Sequence, residues 1–162
     1  MDGLETMCVS EYPRLVGMLG LYCGDADKAE DFAQESLVRL CRDWPRVKRM
    51  DAPEAWLRRV ALNLAHSHYR RRKVEQRVIG LIGGRITTEP DAAPGVETLD
   101  LLRSLPHRQR SALLLHHYLD LPVREVAQVL DVPEGTAKTL IHRGLKRLRA
   151  DLEGEVDLAQ PS

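Results

Sequence analysis

The sequence predicts an all-α protein built from two small helical domains joined by a flexible linker, and three observations predict it. Aromatic residues make up only 4% of the chain, with one Phe, while Ala, Leu, Arg and Glu are plentiful, which favours helix over strand. Apolar positions recur at three- and four-residue steps. Residues 77–96 (RVIGLIGGRITTEPDAAPGV) interrupt that period and hold four of the 11 glycines and two of the nine prolines, the composition of a linker. A chain of 162 residues then divides into a first domain at 1–76, a linker at 77–96, a second domain at 97–155 and a tail at 156–162. An apolar fraction of 43% suffices for packed cores, and 30% charged residues suit helical surfaces.

The first domain carries three helical patterns. Tyr12 to Leu21 places Leu15, Val16, Met18 and Leu19 on one side, and Asp27 to Trp44 does the same with Phe32, Ala33, Leu37, Leu40, Cys41 and Trp44. A third helix begins after Asp51, where Asp51-Ala52-Pro53-Glu54 offers a capping side chain, an early proline and an acid in the first turn. Trp56, Leu57, Val60, Ala61, Leu64 and Ala65 form its buried stripe, so Trp56 is expected in the core. The apolar VIGLI stretch at the start of the linker either packs on a partner or docks on its own domain. In the second domain Leu99, Leu102 and Leu105 precede a helix opened by Pro106 and carried through Ala112, Leu113 and Leu115. A short helix over Leu121 to Leu130 ends at Asp131-Val132-Pro133, and another starts near Glu134 and runs through Ala137, Leu140, Ile141, Leu145 and Leu148. Two short helices with a tight turn between them predict a helix-turn-helix.

Net charge is uninformative, because 24 basic residues cancel 24 acidic ones, so the distribution has to be read. Arginine outnumbers lysine 19 to 5, a bias that a GC-rich genome produces without selection on function. From Trp56 to Arg77 seven basic residues (Arg58, Arg59, Arg70, Arg71, Arg72, Lys73, Arg77) face Glu75 alone, and from Lys138 to Arg149 five basic residues meet no acid. Two such stretches in two domains predict contact with nucleic-acid phosphates. Asp25 to Glu35 instead holds five acids and one lysine. That helix cannot face DNA comfortably. With exposed Gln34, Glu35 and Arg39 beside Leu37 and Leu40, it suits either a basic protein surface or solvent. In the helix-turn-helix, inward Ala137, Leu140, Ile141 and Leu148 leave Lys138, Thr139, His142, Arg143 and Lys146 pointing outward to base edges and phosphates.

Other classes find little support. Cys8, Cys23 and Cys41 are odd in number and widely spaced, without a C-x-x-C pair, so buried or incidental thiols are expected rather than a disulfide framework or a zinc knuckle. The six histidines show no ligand spacing, and adjacent His116 and His117 should splay apart on a helix, so no metal or other cofactor is predicted. No apolar run approaches the roughly 20 residues of a membrane helix, and no apolar stretch near the start follows a basic region. The protein is expected in the cytoplasm.

Over residues 8 to 152 the chain resembles the extracytoplasmic-function sigma factors of bacterial RNA polymerase. DKAEDFAQESLVRLCRDW looks like the polymerase-binding helix of sigma region 2, with its acidic lead and D-x-x-Q-E core. AWLRRVALNLAHSHYRRRK resembles the helix of that region that opens and reads the minus-ten element. LPHRQRSALLLHHYLDLPVREVAQVLDVPEGTAKTLIHRGLKRLRADL resembles region 4, which reads the minus-thirty-five element. The resemblance implies no catalysis. It implies core polymerase binding through Asp31, Gln34, Glu35, Leu37, Arg39 and Leu40 on the clamp helices of the largest subunit, with region 4 on the flap of the second-largest. It implies minus-ten recognition by Asn63, His66, Ser67 and Tyr69, with Arg70, Arg71, Arg72 and Lys73 on the backbone of melted DNA. It implies minus-thirty-five recognition by Thr136, Lys138, Thr139, His142, Arg143 and Lys146. An anti-sigma partner that sequesters the chain, at the membrane in some members, is also implied. Departures are local. His66, Ser67 and His68 follow N-L-A where the family often has an aliphatic residue, an acid and a tyrosine, and Asp131 occupies the turn where glycine is common, a position Asp tolerates. His142 and Gly144 make the reading helix individual. A stand-alone helix-turn-helix regulator is the alternative reading; it accounts for residues 99–149 and leaves the first domain unexplained.

Overall fold

A computed structural model describes residues 2–83 and 97–159, and helices with their connecting turns make up all of it, with no strand among the described residues. The elements are α1 (Gly3–Cys23), α2 (Ala26–Val47), α3 (Pro53–Leu81), α4 (Glu97–Ser104), α5 (His107–Leu113) continued by a π-helical turn (Leu114–Tyr118), α6 (Val123–Leu130) and α7 (Glu134–Ala159).

The first helix runs well beyond the stripe at 12–21 and passes through Pro13; the carbonyl this proline leaves unpaired belongs to Val9, which faces solvent. Gly24 then ends α1 in the left-handed conformation (φ 68°), its N–H donating to the Gly20 carbonyl at 2.8 Å. Asp25 starts α2 by accepting from the N–H groups of Asp27 and Lys28 at 3.0 and 3.2 Å. Pro53 and Glu54 open α3 as expected, but the cap position falls to Ala52 and no side chain caps it, so Asp51 lacks the role the sequence suggested. The helix continues to Leu81, taking in the first residues of the predicted linker, because nothing before Gly83 requires a left-handed backbone. Val78, Ile79, Leu81 and Ile82 of the VIGLI stretch are exposed. The remainder of the linker, 84–96, lies outside the described residues.

Leu15, Met18, Leu19 and Tyr22 of α1 pack with Ala29, Ala33 and Leu40 of α2 and with Leu57, Ala61, Leu62 and Ala65 of α3. Trp56 is half-buried at the edge of this core, with the Arg46 guanidinium 5.9 Å from its ring centroid. Within it Arg58 donates to both carboxylate oxygens of Glu11, at 2.8 and 3.1 Å, with the two residues only 8% and 4% exposed. A bidentate geometry is what lets a charge pair be buried. The second domain closes on Leu105, Ala112, Leu115, Val126, Val129, Ala137 and Ile141.

The two domains are docked on one another and their buried side chains form one cluster. Arg59 on α3 donates to the Val129 and Gln128 carbonyls at 2.8 and 2.5 Å, supplying the C-terminal partners that α6 lacks within itself. Arg14 reaches the Leu119 carbonyl at 3.2 Å. Tyr22 shares a 2.6 Å hydrogen bond with His107 Nδ1, the His66 and His107 rings stack at 3.8 Å, and Arg110 donates to the Tyr22 carbonyl at 3.1 Å. Gly17, in the middle of α1, lies under the Tyr118 phenol, where a Cβ would overlap the hydroxyl.

Candidate nucleic-acid interface

The helix-turn-helix is built as its residues require. Asp131 adopts the left-handed conformation (φ 55°, ψ 51°), and the N–H groups of Asp131 and Val132 both turn back to the Ala127 carbonyl. Pro133 then precedes α7 and accepts the Ala137 N–H at 3.0 Å. On α7, Ala137 and Ile141 are buried and Leu140, Leu145 and Leu148 half-buried, so Thr136, Lys138, Thr139, His142, Arg143 and Lys146 all lie exposed on the opposite side. Gly144 is not part of that reading face: a Cβ there would meet Leu113 of α5 at 3.1 Å, so the glycine serves close packing between α5 and α7.

The residues expected at the minus-ten element divide between two faces of α3. Asn63, His66, Tyr69, Arg70 and Lys73 turn toward the second domain. His66, Tyr69, Arg70 and Lys73 line a cleft of about 560 Å³ with Arg103, His107, Arg110 and Arg147. Asn63 and His66 line a neighbouring cleft with Arg108 and Asp131. Charge gathers in the larger cleft, where Asp100 is the only acid among the lining residues. Its effect shows on the imidazoles: burial holds His66 below its ordinary value, with Arg70 and Arg110 adding to it, and burial next to His66 and Arg110 pushes His107 down to about 4. The other face of α3 carries His68, Arg71 and Arg72, which with Lys28, Phe32 and Ile79 line a groove between α2 and α3. Burial, Lys28 and Arg72 lower His68 too. Ser67 is half-buried between the two faces, its carbonyl accepting from Arg71 Nε at 3.4 Å. Arg58 and Arg59, counted with this basic stretch in the sequence, are held by Glu11 and by the end of α6 and are not offered to phosphate.

On α2, Asp31, Gln34 and Glu35 are exposed, and Arg39 is half-buried with Nε 3.1 Å from Glu35. Leu37 is half-buried, but Leu40 is 0% exposed and belongs to the core, so it is not available to a partner. The apolar side chain on the acidic face is Val38, 61% exposed, which the sequence reasoning missed. Its position seven residues after Asp31 and three after Glu35 is a signal that could have found it. His116 and His117 do not splay: the π-helical turn brings their rings to 4.8 Å edge-on, while His116 Nδ1 donates to the Leu121 carbonyl at 2.8 Å. Among the described residues no group of three or more His, Cys, Asp or Glu could hold a metal ion, and no helix is long and apolar enough to cross a membrane.

A helix-turn-helix domain with an exposed basic helix, attached to a helical domain with one acidic and two basic faces, defines a two-domain DNA-binding protein. Residues 8–75 match Sigma-70 region 2 and residues 96–148 match Sigma-70, region 4. Among similar proteins, the RNA polymerase sigma-E factor of Streptomyces avermitilis is 33% identical over 140 residues, covering 80% of this chain and 73% of that protein. The ECF RNA polymerase sigma factor SigW of Bacillus subtilis is 28% identical over 145 residues, covering 80% and 78%. A crystal structure of the sigma factor RpoE of Bartonella quintana in complex with the anti-sigma factor NepR has the same fold, with a TM-score of 0.75 at 21% identity over 94% of this chain and 98% of that one. The chain belongs to the extracytoplasmic-function sigma factors of the sigma-70 family. It is a promoter-specific transcription initiation factor of RNA polymerase.

Proposed function

We propose that the chain divides this work among three surfaces. The acidic face of α2, with Asp31, Gln34, Glu35, Val38 and Arg39, docks on the clamp helices of the polymerase largest subunit, and the second domain sits on the flap of the second-largest. Asn63, His66, Ser67 and Tyr69 read the minus-ten bases while Arg70, Arg71, Arg72 and Lys73 hold the melted strand. Thr136, Lys138, Thr139, His142, Arg143 and Lys146 read the minus-thirty-five duplex. The observation that carries this reading is the exposed row on α7 behind the Asp131 turn, since a helix-turn-helix needs its outward side chains free for the major groove. No bond is made or broken by these residues; the work is binding and strand capture.

We also propose a cytoplasmic location and an anti-sigma partner that covers the polymerase-binding surfaces, as the neighbour of the same fold is a complex with an anti-sigma factor. The test is transcription in vitro on a genomic library with core polymerase, with and without the protein, alongside affinity recovery from the native host. Expected are new start sites sharing two spaced elements and a stoichiometric partner distinct from polymerase. Duplex binding without new starts would replace the initiation reading by that of a stand-alone regulator, and recovery of polymerase subunits alone would remove the anti-sigma partner.

A further inference from the structure

Helices α1 and α2 form an antiparallel hairpin whose turn is Gly24-Asp25, so residues equally far from that turn stand at the same height. Cys8 precedes the end of α1 at Cys23 by 15 residues, and Cys41 follows the start of α2 at Ala26 by the same 15. At a rise of about 1.5 Å per residue, each lies roughly 22 Å along its helix. The register is fixed near the open end, where the Cβ position of Gly3 lies 3.5 Å from Cζ2 of Trp44. There the Cys41 thiol acts on the Cys8 thiol, raising its pKa, so the two side chains are neighbours. Spacing along the sequence gave Cys8 no partner thiol; the hairpin supplies one. Helices packed about 8–10 Å apart, with Cα atoms about 2.3 Å from each axis, bring facing Cα atoms to about 5 Å, a span that a disulfide bridges.

We propose that Cys8 and Cys41 are a reversible redox site that closes to a disulfide under peroxide. Cys41 is exposed, Cys8 is half-buried against the core, and Cys23 is buried at the other end of the hairpin. Peroxide therefore meets Cys41 first. Its thiolate attacks one peroxide oxygen, the O–O bond breaks, and the departing hydroxide takes up the proton the thiol released and becomes water, leaving Cys41 as a sulfenic acid. Cys8 sulfur, giving up its proton, attacks Cys41 sulfur and displaces the hydroxyl as a second water. Two thiols lose two electrons and one hydrogen peroxide becomes two waters. Burial first, and the Cys41 thiol next, hold Cys8 above its ordinary value, which suits a resolving thiol protected until its neighbour is oxidised.

The test uses the full-length reduced chain, hydrogen peroxide in slight excess, alkylation, and intact-mass and non-reducing peptide analysis. Wild type and Cys23→Ser should each lose two alkylatable thiols and yield a peptide joining Cys8 to Cys41. Their melting temperature should rise and return with dithiothreitol. Cys8→Ser should yield oxidation at Cys41 alone. Sulfinic acid or an intermolecular dimer at Cys41 while Cys8 remains alkylatable in the wild type, or a bridge that includes Cys23, would overturn the proposal.

Discussion

His107 accepts a proton poorly because of what surrounds it. Its Nδ1 meets the Tyr22 hydroxyl at 2.6 Å and the Ser111 hydroxyl at 3.4 Å, and its ring stacks on His66, with Arg108 and Arg110 nearby. Neutral imidazole can accept the Tyr22 proton; imidazolium cannot, and it would add charge to a cleft already basic. The folded value of about 4 lies below the ordinary 6.5, so the docked protein binds fewer protons than the unfolded chain. The stabilisation is therefore fully present above pH 6.5 and is lost as pH falls toward 4. The urea midpoint should drop between pH 7.5 and pH 5 in the wild type and drop less in His107→Gln, which keeps an acceptor and cannot titrate. Equal drops in the two would remove His107 from this role. Nothing in the sequence around His107 announces Tyr22 or His66, which are brought there only by docking. Glu11 and Arg58 teach the same lesson. Each looks like an ordinary surface charge in its own helix, and their pairing is a property of α1 crossing α3.

At the level of single helices much more was legible, because the determinants are local. Asp131 could be assigned to a left-handed turn because it stands where helix-turn-helix units commonly carry glycine and Asp tolerates that backbone, and Ala137 and Ile141 to the inner side of α7 from their spacing. Periodicity locates a stripe without saying what covers its edges. Leu37 and Leu40 are both on the apolar side of α2, yet only Leu40 is sealed, since it lies in the buried line with Ala29, Ala33, Ser36 and Val47 while Leu37 lies at its edge. The exposed face of α2 leads to a direct expectation. Reversing Asp31 and Glu35 to lysine should weaken association with core polymerase at least tenfold while helix content by circular dichroism stays unchanged, the Glu35–Arg39 pair being exposed and worth about 0.5 kcal/mol or less. Duplex binding to a minus-thirty-five element, proposed above for α7, should be unaffected. A fall in duplex binding equal to that in polymerase binding would mean that the α2 face is not the polymerase surface.

The molecule as a whole departs most from what its sequence displays. A linker rich in Gly and Pro reads as separation, whereas the two domains are docked with Asn63 and His66 turned toward the second domain. Docking depends on backbone carbonyls at Gln128 and Val129 that any sequence would provide, so no residue pattern reveals them in advance. Arg59→Ala removes both donors from α3 and leaves α6 short of C-terminal partners. A compact chain of this length has a radius of gyration of about 15 Å, and small-angle scattering of Arg59→Ala should show an increase of several ångströms at unchanged helix content. An unchanged radius would show that the apolar contact holds the domains together without Arg59. An opened variant should also capture single-stranded minus-ten DNA more readily, because His66 is then released from its stack on His107.

Gly17 sets selection for a sturdier helix against selection for a closed molecule. An interior helical glycine costs about 0.5–1 kcal/mol relative to alanine, so drift toward a more robust α1 favours adding a methyl group there. That methyl would drive the Tyr118 ring off α1. A lineage adapting to heat through its helices would thus give up one contact between the two domains, trading restraint for toughness.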